Sequence, residues 1–201
     1  MRISSICVFF SLSRCNSLFA VLSSEIIFSN VCDKALKSEI ISRKIIDSDF
    51  YKSAKVVGIY SSISYEVDTS ILIKKSIIDG KTVALPKVID DEMMEFYKIH
   101  SFDDIDVGCF LGIKEPKVSC ENFIDKSEID LMIVPGICFD NDKNRVGFGK
   151  GYYDRYLTGV DRMVKVGVCF DEQLMKDKNI PLDEFDVKMD FIITDKIFLG
   201  S

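Results

Sequence analysis

The sequence predicts an α/β protein, a three-layer αβα sandwich around a mostly parallel central sheet. Short apolar runs alternate with amphipathic stretches along the chain, and Gly or Pro-Gly stands at junctions such as Gly80 and Pro135-Gly136. Runs that are apolar at nearly every position suit strands covered on both faces. Their alternation with helices suits parallel connections.

The elements follow in order. Residues 31–47 place Leu36, Ile40 and Ile45 near one face, with Lys and Glu opposite, which predicts an amphipathic helix. Residues 55–60 (KVVGIY) read as a buried strand. Residues 67–79 read as a helix, with Gly80 where a C-cap belongs. Residues 81–86 (KTVALP) and Met93–Ile99 are further strands, and 129–134 (IDLMIV) is the most strand-like run of all. A glycine-rich loop and a helix beginning near Gly151 come next; 163–169 and 189–194 close the series. Ligands of such sheets lie at the carboxyl ends of the strands. The loops after Tyr60, Leu85, Val134 and Phe170 are therefore expected to build the site.

At 201 residues, 47% hydrophobic and 29% charged, the chain has the make-up of one globular domain with a real core. A net charge of −6 argues against a general nucleic-acid binder. The single His, His100, leaves little room for a His-based metal site or a Ser/His/Asp triad, and it is expected at a strand end, partly exposed. Seven Cys without a CxxC point to buried small hydrophobes in a reducing compartment, not to a zinc site or a disulfide framework. Residues 1–30 form an atypical, Ile/Phe/Leu/Ser/Cys-rich segment ahead of a single domain at 31–201. Its apolar run from Ile3 to Leu12 is too short to span a bilayer, and Arg14 interrupts it. A helix packed on the domain, or a misplaced start, is favoured over a cleaved signal.

The informative segment is 134–157, VPGICFDNDKNRVGFGKGYYDRYL. Gly147, Gly149 and Gly151 stand at every second position, where the backbone can approach a ligand closely and turn its amides toward phosphate oxygens. The following helix N-terminus would help. Arg145 and Lys150 bring positive charge, and Asp154 is placed to hold a Mg²⁺ that bridges phosphates. The run is neither a Walker A loop nor a GxGxxG fingerprint, and alternating glycines also build plain turns. On the residues alone, both readings stay open.

The segment resembles the signature of the 5-formyltetrahydrofolate cyclo-ligase (methenyltetrahydrofolate synthetase) family: a PG-hydrophobic-x-FD stretch, then N/G-R-hydrophobic-G-x-G-x-G-YYD. Here these read PGICFD and NRVGFGKGYYDRYL. The likeness extends through 48–69, 80–88, GIKEP at 112–116 and IPLDEFDVKMDFIITD at 180–195, covering roughly residues 36–195. It implies ATP- and Mg²⁺-dependent cyclisation of 5-formyltetrahydrofolate to 5,10-methenyltetrahydrofolate.

By that resemblance, Arg145, Val146, Gly147, Phe148, Gly149, Lys150, Gly151, Tyr152 and Tyr153 cradle ATP, with Arg145, Lys150 and Asp154 catalytic. Asp154 and Asp186 hold Mg²⁺, Asp190 stands near to support Asp186, and Ser61, Glu66 and Tyr152 contact the folate. Without the resemblance, Asp186 and Asp190 read as turn carboxylates, Glu66 as a helix N-terminal acid, and Tyr153 as core. Pro86-Lys87 and Glu115-Pro116 read as loop-shaping residues lining the pocket. Two features depart from the family. The opening helix lacks the usual Lys and Arg spaced a turn apart, and Phe148 stands where many relatives carry Arg. The partners expected are small molecules, with no nucleic acid and no membrane, for a cytoplasmic monomer. The rival readings are a non-catalytic folate or nucleotide binder and a sugar-phosphate isomerase of similar topology.

Overall fold

The computed structural model describes residues 33–63, 65–107, 114–177 and 179–200. Its strands are β1 (Val56–Gly58), β2 (Thr82–Val88), β3 (Met94–Ile99), β4 (Ile105–Val107), β5 (Lys114–Pro116), β6 (Phe123–Ile124), β7 (Leu131–Pro135), β8 (Cys138–Asp140), β9 (Arg145–Val146), β10 (Val164–Val168), β11 (Leu174–Met175), β12 (Phe191–Ile193) and β13 (Phe198–Leu199). The helices are α1 (Lys34–Asp47), α2 (Asp49–Ser53), α3 (Ser70–Ile78) and α4 (Tyr152–Leu157).

Strand parity sets the layers. Successive side chains of a strand point to opposite faces. In β7, Leu131 and Ile133 enter one apolar cluster, while Met132 and Val134 enter another. The same division separates Val83 and Leu85 from Ala84 in β2, and Ile193 from Ile192 in β12. Each run is therefore buried on both sides.

The main sheet runs β13-β12-β10-β7-β1-β2-β3-β6. Its five inner strands, β12 to β2, are parallel. Antiparallel β13 closes one side, and antiparallel β3 and β6 close the other. The mostly parallel α/β class expected from the sequence is the observed one. On one face α1 and α3 bring Ile41, Ile45, Leu72 and Ile73 onto Val57, Leu131 and Val166. The other face is covered by Leu157 of α4 together with Phe139 and Leu174 of a small β11-β8-β9 sheet. The crossover from β7 to β10 builds the β8–β9 hairpin first, which leaves six residues for α4.

Local signals hold at several junctions. Gly80 is left-handed (φ 74), Gly80 N donates to Ile77 O at 3.0 Å, and Lys81 N donates to Ser76 O at 3.0 Å. This paired arrangement closes a helix end with a glycine. The α1 face differs from the expected one: Ser38, Ile41, Ser42 and Ile45 are buried, and Leu36 lies exposed. Ser38 accepts from Asp68 N at 3.0 Å, which ties α1 to the segment ahead of α3. His100 is exposed just beyond β3, and Cys138 and Cys169 are buried while Cys120 is not. The readings for residues 1–30 lie outside the described residues. Among the described residues, no helix is long and apolar enough to cross a membrane.

Candidate active site

Strands β7, β1 and β2 end side by side, and the loops that follow them meet. After β7 the chain makes a tight hairpin, and a single carboxylate organises it. Asp140 is wholly buried. Its Oδ1 accepts from the amides of Asp142 and Asn144 (3.0 and 2.9 Å), and its Oδ2 accepts from Asn144 Nδ2 and Ile180 N (2.9 and 2.8 Å). In the structure it also ties segment 180–190 to the hairpin, helped by Met189 N donating to Lys143 O at 3.0 Å.

Arg145 leaves β9 with its side chain only 4% exposed. Nη2 donates to Asp154 Oδ2 at 2.7 Å and Nη1 to Pro135 O at 3.4 Å, and the guanidinium carbon lies 5.6 Å from the centre of the Tyr153 ring. Nε is buried with no partner. Gly147 leaves room for this side chain: a Cβ there would stand 2.5 Å from Arg145 Nη1. Gly151 serves differently, turning the chain into α4 with a left-handed φ of 66. Lys150 is exposed, its Nζ 3.6 Å from Asp91 Oδ1. Tyr152 donates its hydroxyl to Asp90 O at 2.9 Å, so the β2–β3 turn leans on α4. With only six residues, α4 adds less dipole than the sequence reading expected.

Asp154 and Asp186 share this end of the molecule. The amide of Val187, next to Asp186, lies 3.5 Å from Asp154 Oδ1. Asp186 is exposed, and its Oδ2 accepts from Asp183 N at 2.7 Å. Asp190 does not support Asp186. Its Oδ2 accepts from Lys165 N at 2.7 Å, at the start of β10 and so the opposite end of the strand. Among the described residues no group of three or more His, Cys, Asp or Glu forms a metal cage.

The loop after β1 faces the glycine loop. Thr69 Oγ1 donates to Tyr60 O at 2.7 Å and the Tyr60 hydroxyl to Val67 O at 2.9 Å, which folds the loop back on itself. Ser61 is half-buried at its start. Glu66 is 8% exposed and accepts from Ile63 N at 3.0 Å. Burial drives its carboxyl up to about 7, against the pull of the Ile63 amide and the Lys34 charge. Burial, and then the charge of Glu66, push the phenols of Tyr60 and Tyr153 well above their ordinary value. The two loops touch where the Tyr65 and Phe148 rings lie 5.6 Å apart. Nothing in the sequence pairs those residues.

This frame contains a buried arginine, a two-carboxylate corner and a facing acid, spaced along one sheet edge. The model of the 5-formyltetrahydrofolate cyclo-ligase family matches residues 28–195. The chain belongs to the 5-formyltetrahydrofolate cyclo-ligase family. A probable 5-formyltetrahydrofolate cyclo-ligase of Schizosaccharomyces pombe is 32% identical, over 89% of this chain and 94% of its own. The mouse 5-formyltetrahydrofolate cyclo-ligase is 29% identical over 80% and 83%. Among solved structures, the 5,10-methenyltetrahydrofolate synthetase of Aquifex aeolicus superposes with a TM-score of 0.75 at 34% identity, covering 90% of this chain and 89% of that one. For the synthetase of Mycoplasma pneumoniae the TM-score is 0.67 at 26% identity.

Proposed function

We propose that this chain carries out its family's cyclisation, using ATP to convert 5-formyltetrahydrofolate into 5,10-methenyltetrahydrofolate, ADP and phosphate. The observation that carries the reading is Arg145: a nearly buried cation with an unpartnered Nε, beside a glycine loop and two carboxylates at the end of β7.

The chemistry requires little covalent help from the protein. An N-formyl oxygen is a poor leaving group. Transfer of the ATP γ-phosphoryl to that oxygen makes it a good one: the O–P bond forms and ADP departs. N10 then attacks the formyl carbon and gives up its proton to solvent, the C–O bond breaks, and phosphate carries away the formyl oxygen as the ring closes. Catalysis of such a transfer rests on alignment and charge neutralisation. Residues 145–153 would line the triphosphate, with Arg145 and Lys150 neutralising the charge that develops. Asp154 and Asp186 would hold Mg²⁺. That ion suits one or two carboxylates plus phosphate oxygens and water better than a closed protein cage. When bound, it would neutralise negative charge on the phosphates. Glu66, with Ser61 and Tyr152 nearby, would accept hydrogen bonds from the pterin N–H donors. We read the protein as a cytoplasmic monomer acting on small molecules; its −6 charge disfavours nucleic acid as a partner.

The methenyl product absorbs in the near ultraviolet. Full-length protein mixed with 5-formyltetrahydrofolate, Mg²⁺ and ATP should develop that absorbance, and omission of ATP should abolish it. An isomerase or a silent binder gives no ATP-dependent signal.

A further inference from the structure

We propose that Lys87, oriented by Glu115, determines specificity by binding the carboxylate tail of the folate substrate. This rests on the cyclo-ligase reading and adds a residue and a direction to it.

The substrate is elongated, and its negative charge sits at one end, on the glutamate. If its reactive head lies between the loops after β7 and β1, the tail must leave along the sheet edge one way or the other. Toward β10, Lys176 and Lys196 stand 2.9 and 3.3 Å from Asp171, and Lys37 pairs with Glu172 at 2.5 Å. Lys87, toward β2, is paired as well, with Glu115, but a cavity adjoins that pair.

In this reading the tail runs toward β2, where that cavity lies. Adjacent strands lie about 4.8 Å apart, so the ends of β7, β1 and β2 span about 10 Å. That is a fitting stride for a linker between a pterin and its tail. Lys87 is the penultimate residue of β2 and lines a cavity of about 300 Å³ with Asp106, Glu115, Pro116 and Lys117. Its Nζ donates to Glu115 Oε2 at 2.9 Å. The Lys87 side chain is 30% exposed and that of Glu115 is 11% exposed. An ammonium has three donors, and Glu115 takes one. The remaining donors serve an incoming carboxylate, while Glu115 holds the long side chain in place. Lys117 is the second cation of the cavity, 3.8 Å from an exposed Asp106 that water screens. The bland alternative is a strap that only fastens β5 to β2.

The test compares 5-formyltetrahydrofolate with 5-formyltetrahydropteroate, which keeps the pterin and aminobenzoyl groups but has no glutamate. In the wild type the full substrate should show the lower KM. Lys87→Met should raise that KM roughly tenfold, the scale of one lost charge-assisted contact, with kcat and the KM for ATP little moved. The ratio of the two KM values should collapse toward one, and Lys87→Arg should restore much of it. Because Lys87→Met strands a nearly buried Glu115, the double variant Lys87→Met/Glu115→Gln is run beside it and should show the same collapse. An unchanged ratio in both variants, or an equal KM rise for both substrates, overturns the proposal. Calorimetric binding of the two compounds gives the same comparison without turnover. A wild type that binds the full compound more tightly yet never turns it over sinks the cyclo-ligase reading and leaves the tail contact standing.

Discussion

Arg145 and Asp154 hold each other across the glycine loop, with Nη2 donating to Oδ2 at 2.7 Å and both side chains largely withdrawn from water. Removing one partner of such a pair strands the other. Asp154→Ala should therefore lower stability by about 3 kcal/mol, the scale for breaking a buried pair. Turnover should fall at least ~100-fold, as for loss of a transition-state charge contact. Arg145→Met/Asp154→Leu should recover most of the stability and none of the turnover. Denaturant melts alongside the absorbance assay check both halves, and a double variant with near-normal rate would reduce the pair to a structural clasp.

Glu66 gives a pH signature of definite sign. Its carboxyl is raised from 4.5 to about 7, chiefly by burial. Between those values the native state keeps a proton that the unfolded chain has released. Its stabilising contribution is complete below the lower value and is lost as pH rises through about 7, to the extent of at most ~3 kcal/mol. Glu66→Gln should abolish this slope and gain on the wild type above neutrality. If the ionised form accepts pterin N–H bonds, the KM for folate should fall as pH rises through the same value. Melts and KM profiles of the two proteins should differ in shape, not merely in height.

Gly147 is a matter of space rather than of backbone strain. A methyl group there meets Arg145 Nη1 at 2.5 Å, so Gly147→Ala should dislodge the guanidinium and raise the KM for ATP roughly tenfold. Gly80→Ala is the control. It is left-handed with nothing within 4 Å of an added Cβ, so it should cost about 1 kcal/mol of stability and leave both KM values alone.

Asp140 serves four donors with two oxygens. Asp140→Ala should cost at least ~3 kcal/mol, because those buried donors lose their acceptor. It should also loosen segment 180–190, which carries Asp186. Hydrogen exchange should show that segment losing protection together with the β8–β9 hairpin.

The parallel core was legible because β7, β2 and β12 bury apolar side chains on both faces. The glycine loop was legible because its residue types are dense and contiguous. What could not be read depends on contacts between distant residues. The strands β8, β9 and β11 are two or three residues long and leave no period in the sequence. The role of Asp140 needs Ile180, forty positions away. Asp190 looked like a neighbour of Asp186 because sequence spacing does not record that the irregular segment between them carries Asp190 away to the start of β10, where it accepts from Lys165 N. Leu36 fitted a helical face that α1 turns to water, while Ser38, which accepts from Asp68 N, and Ser42 are buried instead.

The central claim, that ATP activates the formyl oxygen as a leaving group, is tested most directly by placing a heavy-oxygen label in the formyl group of the substrate. After one round of turnover with Mg-ATP, mass spectrometry of the products should find the label in inorganic phosphate, in step with the methenyl product formed. Label recovered in water, or methenyl product formed at the same rate without ATP, would contradict the account.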